Sequence, residues 1–170
     1  PKPKFTGFVS LLFLIVAGIQ LLALYPGTEL VTWSIGSAQT YLQANSLAIF
    51  LGLVAVGLGV LVSLFSVSYM EHFDGLGRYY GLLLIMIAGI VGIGLAGDLF
   101  NMFVFFEVMA IPSYVLVAFE KERWEPIEAA MKYIVMSDAG SLIALSGISI
   151  IFMYTGSLDL ATLANLTADM

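Results

Sequence analysis

Five long apolar runs alternate with short polar stretches along the chain. They cover residues 5–25, 46–69, 79–97, 99–119 and 129–154. A bilayer core about 30 Å thick needs about 20 helical residues, so each run is long enough to span it. Backbone N–H and C=O groups in lipid must be bonded within their own segment, and the period-two alternation of barrel strands is missing. The pattern therefore predicts an all-α, polytopic transmembrane helix bundle with five spans in one unit, residues 1–170.

The connections between the runs are short, with one exception. Residues 26–45 include Pro26, Gly27 and Gly36, which favours a loop on the membrane surface. Gly97 and Asp98 predict a tight turn between the third and fourth runs. The first run follows Lys2 and Lys4, as a signal peptide would, but it is longer than a typical signal core and no small-x-small cleavage site follows it directly. We therefore expect it to be a mature span.

The six basic residues all fall on one predicted side of the membrane. They are Lys2, Lys4, Arg78, Lys121, Arg123 and Lys132. The opposite side, formed by the 26–45 loop, the 97–98 turn and the C-terminal tail, has neither Lys nor Arg. Because Lys and Arg are enriched on the cytoplasmic side, the pattern predicts a cytoplasmic N-terminus and an external C-terminus in a multi-pass protein of the cell membrane.

The composition excludes several classes of protein. Hydrophobic residues make up 61% of the chain and charged residues 11%, against about 45–50% and about 25% in soluble domains. A water-soluble globule and a nucleic-acid-binding protein are thereby excluded. The chain has no Cys and a single His, His72, so we expect no metal site and no cofactor in it. His72 lies near Glu71 and Asp74, and it either titrates near neutral pH or is merely solvated.

Glu107 is an acid where lipid is expected. It lies eight residues into the fourth run, about 12 Å deep at 1.5 Å per residue. A carboxylate at that depth is costly, and such residues usually mark ion pathways. Glu107 is therefore either a carboxylate that takes up and releases protons or a protonated structural Glu bonded across helices. Pro112 predicts a helix kink that frees the carbonyl of Val108. The kink either provides a wet site beside the acid or serves packing alone.

Two further charges belong to the fifth run. Lys132 either extends its ammonium to the surface along its long stem or is a buried cation that relays protons. We expect it to lie about 12 Å from Glu107 along the membrane normal, too far for a direct ion pair. Asp138 is six residues further on, near the level of Glu107 but on a different face from Lys132. It contacts Glu107, a partner chain or a cavity, while Ser137 and Ser141 are one turn apart on a polar stripe.

Small residues predict helix contacts on two of the spans. They recur at every fourth position, which lets helices approach closely. The third span has Ala88, Gly92 and Ala96, and the fifth has Gly140 and Ala144.

Several segments resemble the antiporter-like subunit family. The strongest is GDLFNMFVFFEVM at 97–109, followed by PSY at 112–114, AAMKY at 129–133 and YTGSL at 154–158. This family contains the D subunits of Mrp cation/proton antiporters, the ion-pumping subunits of respiratory complex I, and relatives in membrane-bound hydrogenases and sulfur reductases. The resemblance implies transport of H⁺ or exchange of Na⁺ for H⁺. It implies that Glu107 matches the family's essential midmembrane Glu, and Lys132 its Lys nearer the cytoplasm.

The chain also departs from this family. A typical member has many more helices, and the Lys that pairs with the midmembrane Glu lies on the helix after residue 170. Asn45 stands where an Asp is common, and Asp138 stands where a neutral residue is expected. The resemblance therefore implies a split half, a truncated remnant or part of a longer polypeptide.

Three hypotheses follow. The first is a subunit of a multisubunit ion-translocating membrane complex, with Glu107, Lys132 and Asp138 as transfer groups. Its partners are the bilayer, other membrane subunits, and H⁺ or Na⁺. Redox chemistry, if the complex has any, belongs to other subunits, so whether it is an enzyme stays open. The alternative is a structural antiporter-like subunit without transport of its own. The third is an autonomous small transporter or channel, which would have to close a pathway with five helices.

Overall fold

The protein is described by a computed structural model that covers residues 3–24, 31–34, 41–70, 73, 75–120 and 122–168. Five long helices dominate it, and each is long and apolar enough to cross a membrane. They are α1 (Pro3–Leu24), α2 (Ser46–Tyr69), α3 (Leu76–Leu95), α4 (Leu99–Val117) and α5 (Trp124–Thr155). A short helix α6 (Leu160–Ala168) follows. The predicted all-α polytopic membrane bundle is confirmed.

The helix ends differ from the ends of the apolar runs. Helix α5 begins at Trp124, before the run that starts near residue 129, because its first turns are polar. Pro126 fits there, since a first-turn residue has no intrahelical N–H bond to lose. Helix α3 begins at Leu76, directly after Gly75, which has a left-handed φ of 85°. Apolar residues thus indicate which part of a helix lies in lipid, whereas capping and turn residues determine where the helix begins and ends.

The predicted surface loop contains a β-hairpin. Strand β1 (Val31–Ser34) pairs antiparallel with strand β2 (Tyr41–Ala44). Strand β2 also contacts the α3–α4 turn, since Leu42 forms an antiparallel bridge with Ala96. The Gly97 N–H donates to the Tyr41 carbonyl over 3.0 Å. The hairpin therefore lies at the end of the bundle where α4 begins.

Successive long helices run antiparallel and pack on one another in chain order. We call the end with Arg78 and Arg123 the basic end, and the end with β1 and β2 the hairpin end. The core lies among α1, α2 and α3, where apolar side chains interdigitate and Ser10 bonds Ser63 over 3.1 Å. Its buried members are Leu14, Leu21, Val56, Tyr80, Leu83 and Ile87. Helix α5 packs on α4 and leaves most of its surface open.

Helices α3 and α4 approach closely at two glycines. A Cβ on Gly89 would lie 2.7 Å from the Met109 backbone nitrogen, and a Cβ on Gly92 would meet the Phe105 ring. The predicted contact at Gly92 is confirmed, but Ala88 is exposed and Gly89 takes its place. On α5, a Cβ at Gly140 would meet nothing within 4 Å in the part of the chain that the structure describes. The α5 pair therefore has no contact role there.

Gly89→Ala should destabilise the bundle by about 1–3 kcal/mol, because the added methyl overlaps the α4 backbone. Gly81→Ala on the same helix is the matched control, since a Cβ at Gly81 meets nothing within 4 Å of the described residues. That control should gain up to about 1 kcal/mol from helix propensity. The midpoint of thermal unfolding in detergent measures both. Equal shifts in the two variants would contradict the close approach of α3 and α4.

Candidate functional site

The start of α4 is fixed by a buried aspartate. Asp98 is only 1% exposed. Its Oδ1 accepts the Asn101 N–H over 2.8 Å and caps the helix. Its Oδ2 accepts the Asn101 side-chain amide over 2.8 Å and the Tyr41 N–H over 3.3 Å. The first turn of α4 therefore has a defined position at the hairpin end.

A second aspartate cap lies beside the first. Asp159 accepts the Thr162 N–H over 2.7 Å, and it forms an antiparallel bridge with Asp98. The Tyr41 hydroxyl donates to Asp159, so one tyrosine joins both caps through its N–H and its O–H. We call Tyr41, Asp98 and Asp159 the hairpin-end clasp. The Tyr41 ring lies on Gly97, where a Cβ would overlap it.

The clasp shifts the pKa values of Tyr41 and Asp159, which lie outside the spans. The hydrogen bond to Asp159, followed by burial, raises the pKa of Tyr41 to about 12. The bond from Thr162, followed by the bond from Tyr41, lowers the pKa of Asp159 below its ordinary value. Tyr41 therefore stays neutral and Asp159 stays ionised at neutral pH, which preserves the bond between them.

Glu107 lies in the middle of α4. It is half-buried, and its Oε1 is buried without a hydrogen-bond partner among the described residues. Buried polar atoms in proteins are nearly always bonded to protein or to water. A carboxyl oxygen without a partner at this depth is therefore a position where a proton, a cation or a water is expected.

A polar seam runs between α4 and α5. The Tyr114 hydroxyl donates to Ser137 Oγ over 2.7 Å, and the Tyr114 and Tyr133 rings meet edge to face at 4.9 Å. Ser113, after the buried Pro112, donates to the Ala110 carbonyl over 2.6 Å. The sequence pattern predicted the serine stripe but gave no role to Tyr114. The signal for Tyr114 was its spacing of seven residues from Glu107, which puts both on one helix face.

Lys132 lies away from this seam. Its ammonium is 2.6 Å from Glu128 Oε1, and its side chain is 74% exposed. From the Tyr114–Ser137 contact, Lys132 is five residues toward the basic end and Glu107 is seven toward the hairpin end. Lys132 and Glu107 are therefore roughly 18 Å apart along the direction of the helix axes, more than the predicted 12 Å. Within the described chain Lys132 is an exposed cation with an acidic neighbour.

Asp138 is also exposed, and the structure gives it no bond to Glu107 among the described residues. His72, Glu71 and Asp74 lie outside the described residues, as do Lys2, Lys121 and most of the 26–45 loop. The structure thus joins Tyr114 and Ser137 across the seam, and helical spacing places Glu107 and Ser141 on the same faces of α4 and α5. It does not bring Lys132 or Asp138 to that seam.

Comparisons with known proteins cover most of the chain. Residues 96–170 match the family described as NADH:quinone oxidoreductase/Mrp antiporter, TM. The chain is 36% identical over 152 residues to the N subunit of the NADH-quinone oxidoreductase of Alkalilimnicola ehrlichii, and the match covers 89% of this chain and 30% of that protein. It is 32% identical over 123 residues to the D subunit of the Na(+)/H(+) antiporter of Alkalihalophilus pseudofirmus, covering 72% of this chain and 25% of that protein.

A solved structure is also similar. A chain of the membrane-bound sulfane sulfur reductase, an archaeal respiratory membrane complex, superposes with a TM-score of 0.83 at 31% identity. The superposition covers 98% of this chain and 35% of that chain. This chain therefore spans about a third or less of the length of these relatives.

Proposed function

The chain carries a segment of the NADH:quinone oxidoreductase/Mrp antiporter transmembrane family, and we propose that it is a membrane subunit of a multisubunit ion-translocating complex. The cell-membrane location predicted from the sequence is confirmed by this family and by the five spans. Similar proteins are subunits of a quinone oxidoreductase, an Na⁺/H⁺ antiporter and a sulfur reductase. Each of these is a part of a larger assembly, and the open surface of α5 supports the same for this chain.

Glu107 is the group that carries this proposal. A carboxyl group at mid-helix depth costs a few kcal/mol to place, and such groups usually mark ion pathways. Here its buried Oε1 is not used in any hydrogen bond within the described chain, so it is available to bind cargo. The cargo is H⁺ alone or H⁺ exchanged with Na⁺, since a carboxyl oxygen accepts either.

Lys132 and Asp138 take a different place in this proposal. Both are exposed on α5, away from the α4 seam. We assign them to ion transfer between α5 and the helices that cover it in the assembled complex. Redox chemistry, where the complex has any, belongs to other subunits.

One observation favours the structural alternative. The described residues give Glu107 neither an ion-pair partner nor a hydrogen bond at Oε1. A subunit that only fills a place in the complex needs no such partner. The two hypotheses differ in whether transport depends on the acid.

The deciding experiment is Glu107→Gln in the assembled complex reconstituted into proteoliposomes. Gln keeps the size of the side chain and removes proton exchange, so transport should fall about 100-fold or more. Assembly should be unchanged by size-exclusion chromatography and subunit staining. Glu125→Gln is the control, because Glu125 is exposed at the basic end, and it should transport normally. Normal transport by the Glu107→Gln complex would leave the structural subunit as the remaining hypothesis.

A further inference from the structure

Two buried side-chain polar atoms lack a hydrogen-bond partner in the described part of the chain. They are Glu107 Oε1 on α4 and Ser141 Oγ on α5. Ser141 is 8% exposed, in a helix that is otherwise mostly open. A buried hydroxyl without a partner is uncommon and indicates a position completed by water or by another group. Two such atoms on one pair of packed helices suggest that they share a partner.

The Tyr114–Ser137 bond defines the register of the two helices. Ser141 is four residues from Ser137 toward the hairpin end, and Glu107 is seven residues from Tyr114 in the same direction. At 1.5 Å per residue these offsets are about 6 Å and about 10.5 Å. Ser141 and Glu107 therefore differ in level by about 4.5 Å. This is a difference in level only, and the lateral separation of the two helices adds to it, so we expect water to complete the path between the two groups.

The four groups also share the seam. Ala130, Ser137 and Ser141 are spaced by seven and four residues, which places them on one face of α5. Ala130 and Ser141 are the buried residues of that helix. On α4, Glu107, Ala110 and Tyr114 are spaced by three and four residues, and Ala110 and Tyr114 are buried. The two stripes face each other because Tyr114 contacts Ser137.

The seam opens into a cavity at the basic end. The cavity has a volume of about 800 Å³ and lies between α3, α4 and α5. Tyr114, Ala130 and Ile134 line it from the seam side, and Arg78, Glu120 and Glu122 are its charged residues. The rest of its lining is mostly apolar, so we expect water at its charged residues. Tyr114 is thus in contact with both the cavity and Ser137.

We propose that Tyr114, Ser137 and Ser141, with water between Ser137 and Ser141 and between Ser141 and Glu107, form a hydroxyl relay that conducts protons between the basic-end cavity and Glu107. This inference rests on the proposed function of Glu107. A hydroxyl both donates and accepts a hydrogen bond. When an oxygen of the relay gains a proton from one side, it releases its own proton to the other side. One O–H bond forms and one breaks at each step, and the carboxylate of Glu107 ends as a neutral carboxylic acid.

The relay distinguishes protons from Na⁺. Proton hopping needs no movement of heavy atoms, whereas Na⁺ would have to pass bodily between packed helices. Protons therefore reach Glu107 by this seam, and any Na⁺ must arrive by another route.

Ser141→Ala in the assembled complex tests the relay. Proton transport into proteoliposomes should fall about tenfold or more, and Ser141→Thr should restore it to within about twofold because it keeps the hydroxyl. Proton transport should fall by a similar factor in the Ser137→Ala and Tyr114→Phe complexes. Ser146→Ala and Ser149→Ala are matched controls on the same helix, since both hydroxyls are exposed and donate to carbonyls of their own helix over 2.7 and 2.8 Å. Both controls should transport at the normal rate.

The outcomes separate the relay from the role of Glu107. Normal transport in Ser141→Ala, Ser137→Ala and Tyr114→Phe, with loss in Glu107→Gln, would overturn the relay and leave the function of the acid intact. Equal loss in the Ala and Thr variants of Ser141, together with a lower unfolding midpoint, would assign Ser141 to packing and also overturn the relay. Normal transport in Glu107→Gln would overturn the proposed function itself. If Ser141→Ala fails to assemble, Ser137→Ala and Tyr114→Phe decide.

Discussion

Replacing Glu107 by Leu is expected to abolish ion transport and at the same time to raise the thermal stability of the complex. The half-buried acid has a buried oxygen without a hydrogen-bond partner in the described chain. An unsatisfied buried polar group costs about 1–3 kcal/mol. An apolar side chain of similar size removes that cost and gains lipid-like contacts. If Glu107 serves transport at the expense of stability, its replacement should both abolish transport and raise the unfolding midpoint.

The control for this prediction is a buried polar group that does have a partner. Ser10 bonds Ser63 over 3.1 Å in the core, and both are almost fully buried. Ser10→Ala leaves the Ser63 hydroxyl unpaired and should lower stability by about 1–3 kcal/mol. Unfolding midpoints of both variants in one detergent, with transport rates in proteoliposomes, give the comparison. A lower midpoint for Glu107→Leu would mean that the acid is bonded in the full complex, and it would contradict the expected gain in stability.

The spans were predictable because lipid imposes a simple requirement. A helix needs about 20 apolar residues to cross the bilayer core, and five such runs are visible without any tertiary information. The acid at position 107 was equally visible, because a charge inside such a run has no ordinary explanation. Length and depth are properties of one segment, so the sequence of that segment reveals them.

The faces of the helices were harder to predict. Lys132 had two interpretations from the sequence. Its ion pair with Glu128 is an i,i+4 pair within α5, whereas its exposure follows from how α5 packs on α4. The choice of Gly89 over Ala88 at the α3–α4 contact also depends on helix rotation. Periodic spacing shows that a contact face exists. The rotation that brings one residue rather than its neighbour into contact is set by the partner helix.

The hairpin-end clasp could not be predicted from the sequence. It joins Tyr41, Asp98 and Asp159, and the Tyr41–Asp159 bond links residues 118 positions apart. Each aspartate alone fits a helix cap. That a single tyrosine bonds both caps depends on the hairpin folding back onto the α3–α4 turn, and neither strand is long enough to be recognised from alternation.

This clasp leads to the second large effect. Asp98→Ala is expected to lower the stability of the bundle by about 3 kcal/mol. The change removes a helix cap, worth about 0.5–2 kcal/mol. It also leaves the Asn101 N–H, the Asn101 amide and the Tyr41 N–H without their acceptor in a buried site. Unpaired buried donors add about 1–3 kcal/mol to that loss.

A second cap provides the matched control for Asp98. Asn45 caps α2 by accepting the Ala48 N–H over 2.8 Å, but it is exposed and makes this single cap bond. Asn45→Ala should therefore cost only about 1 kcal/mol. Asp98→Asn keeps the cap oxygen but places an amide NH2 where Oδ2 accepts two donors, so it should recover only the cap contribution of about 0.5–2 kcal/mol. Thermal unfolding midpoints of the three variants test the order. Equal losses at positions 98 and 45 would show that the clasp adds nothing beyond an ordinary cap, and α4 would then owe its position to the close packing against α3 alone.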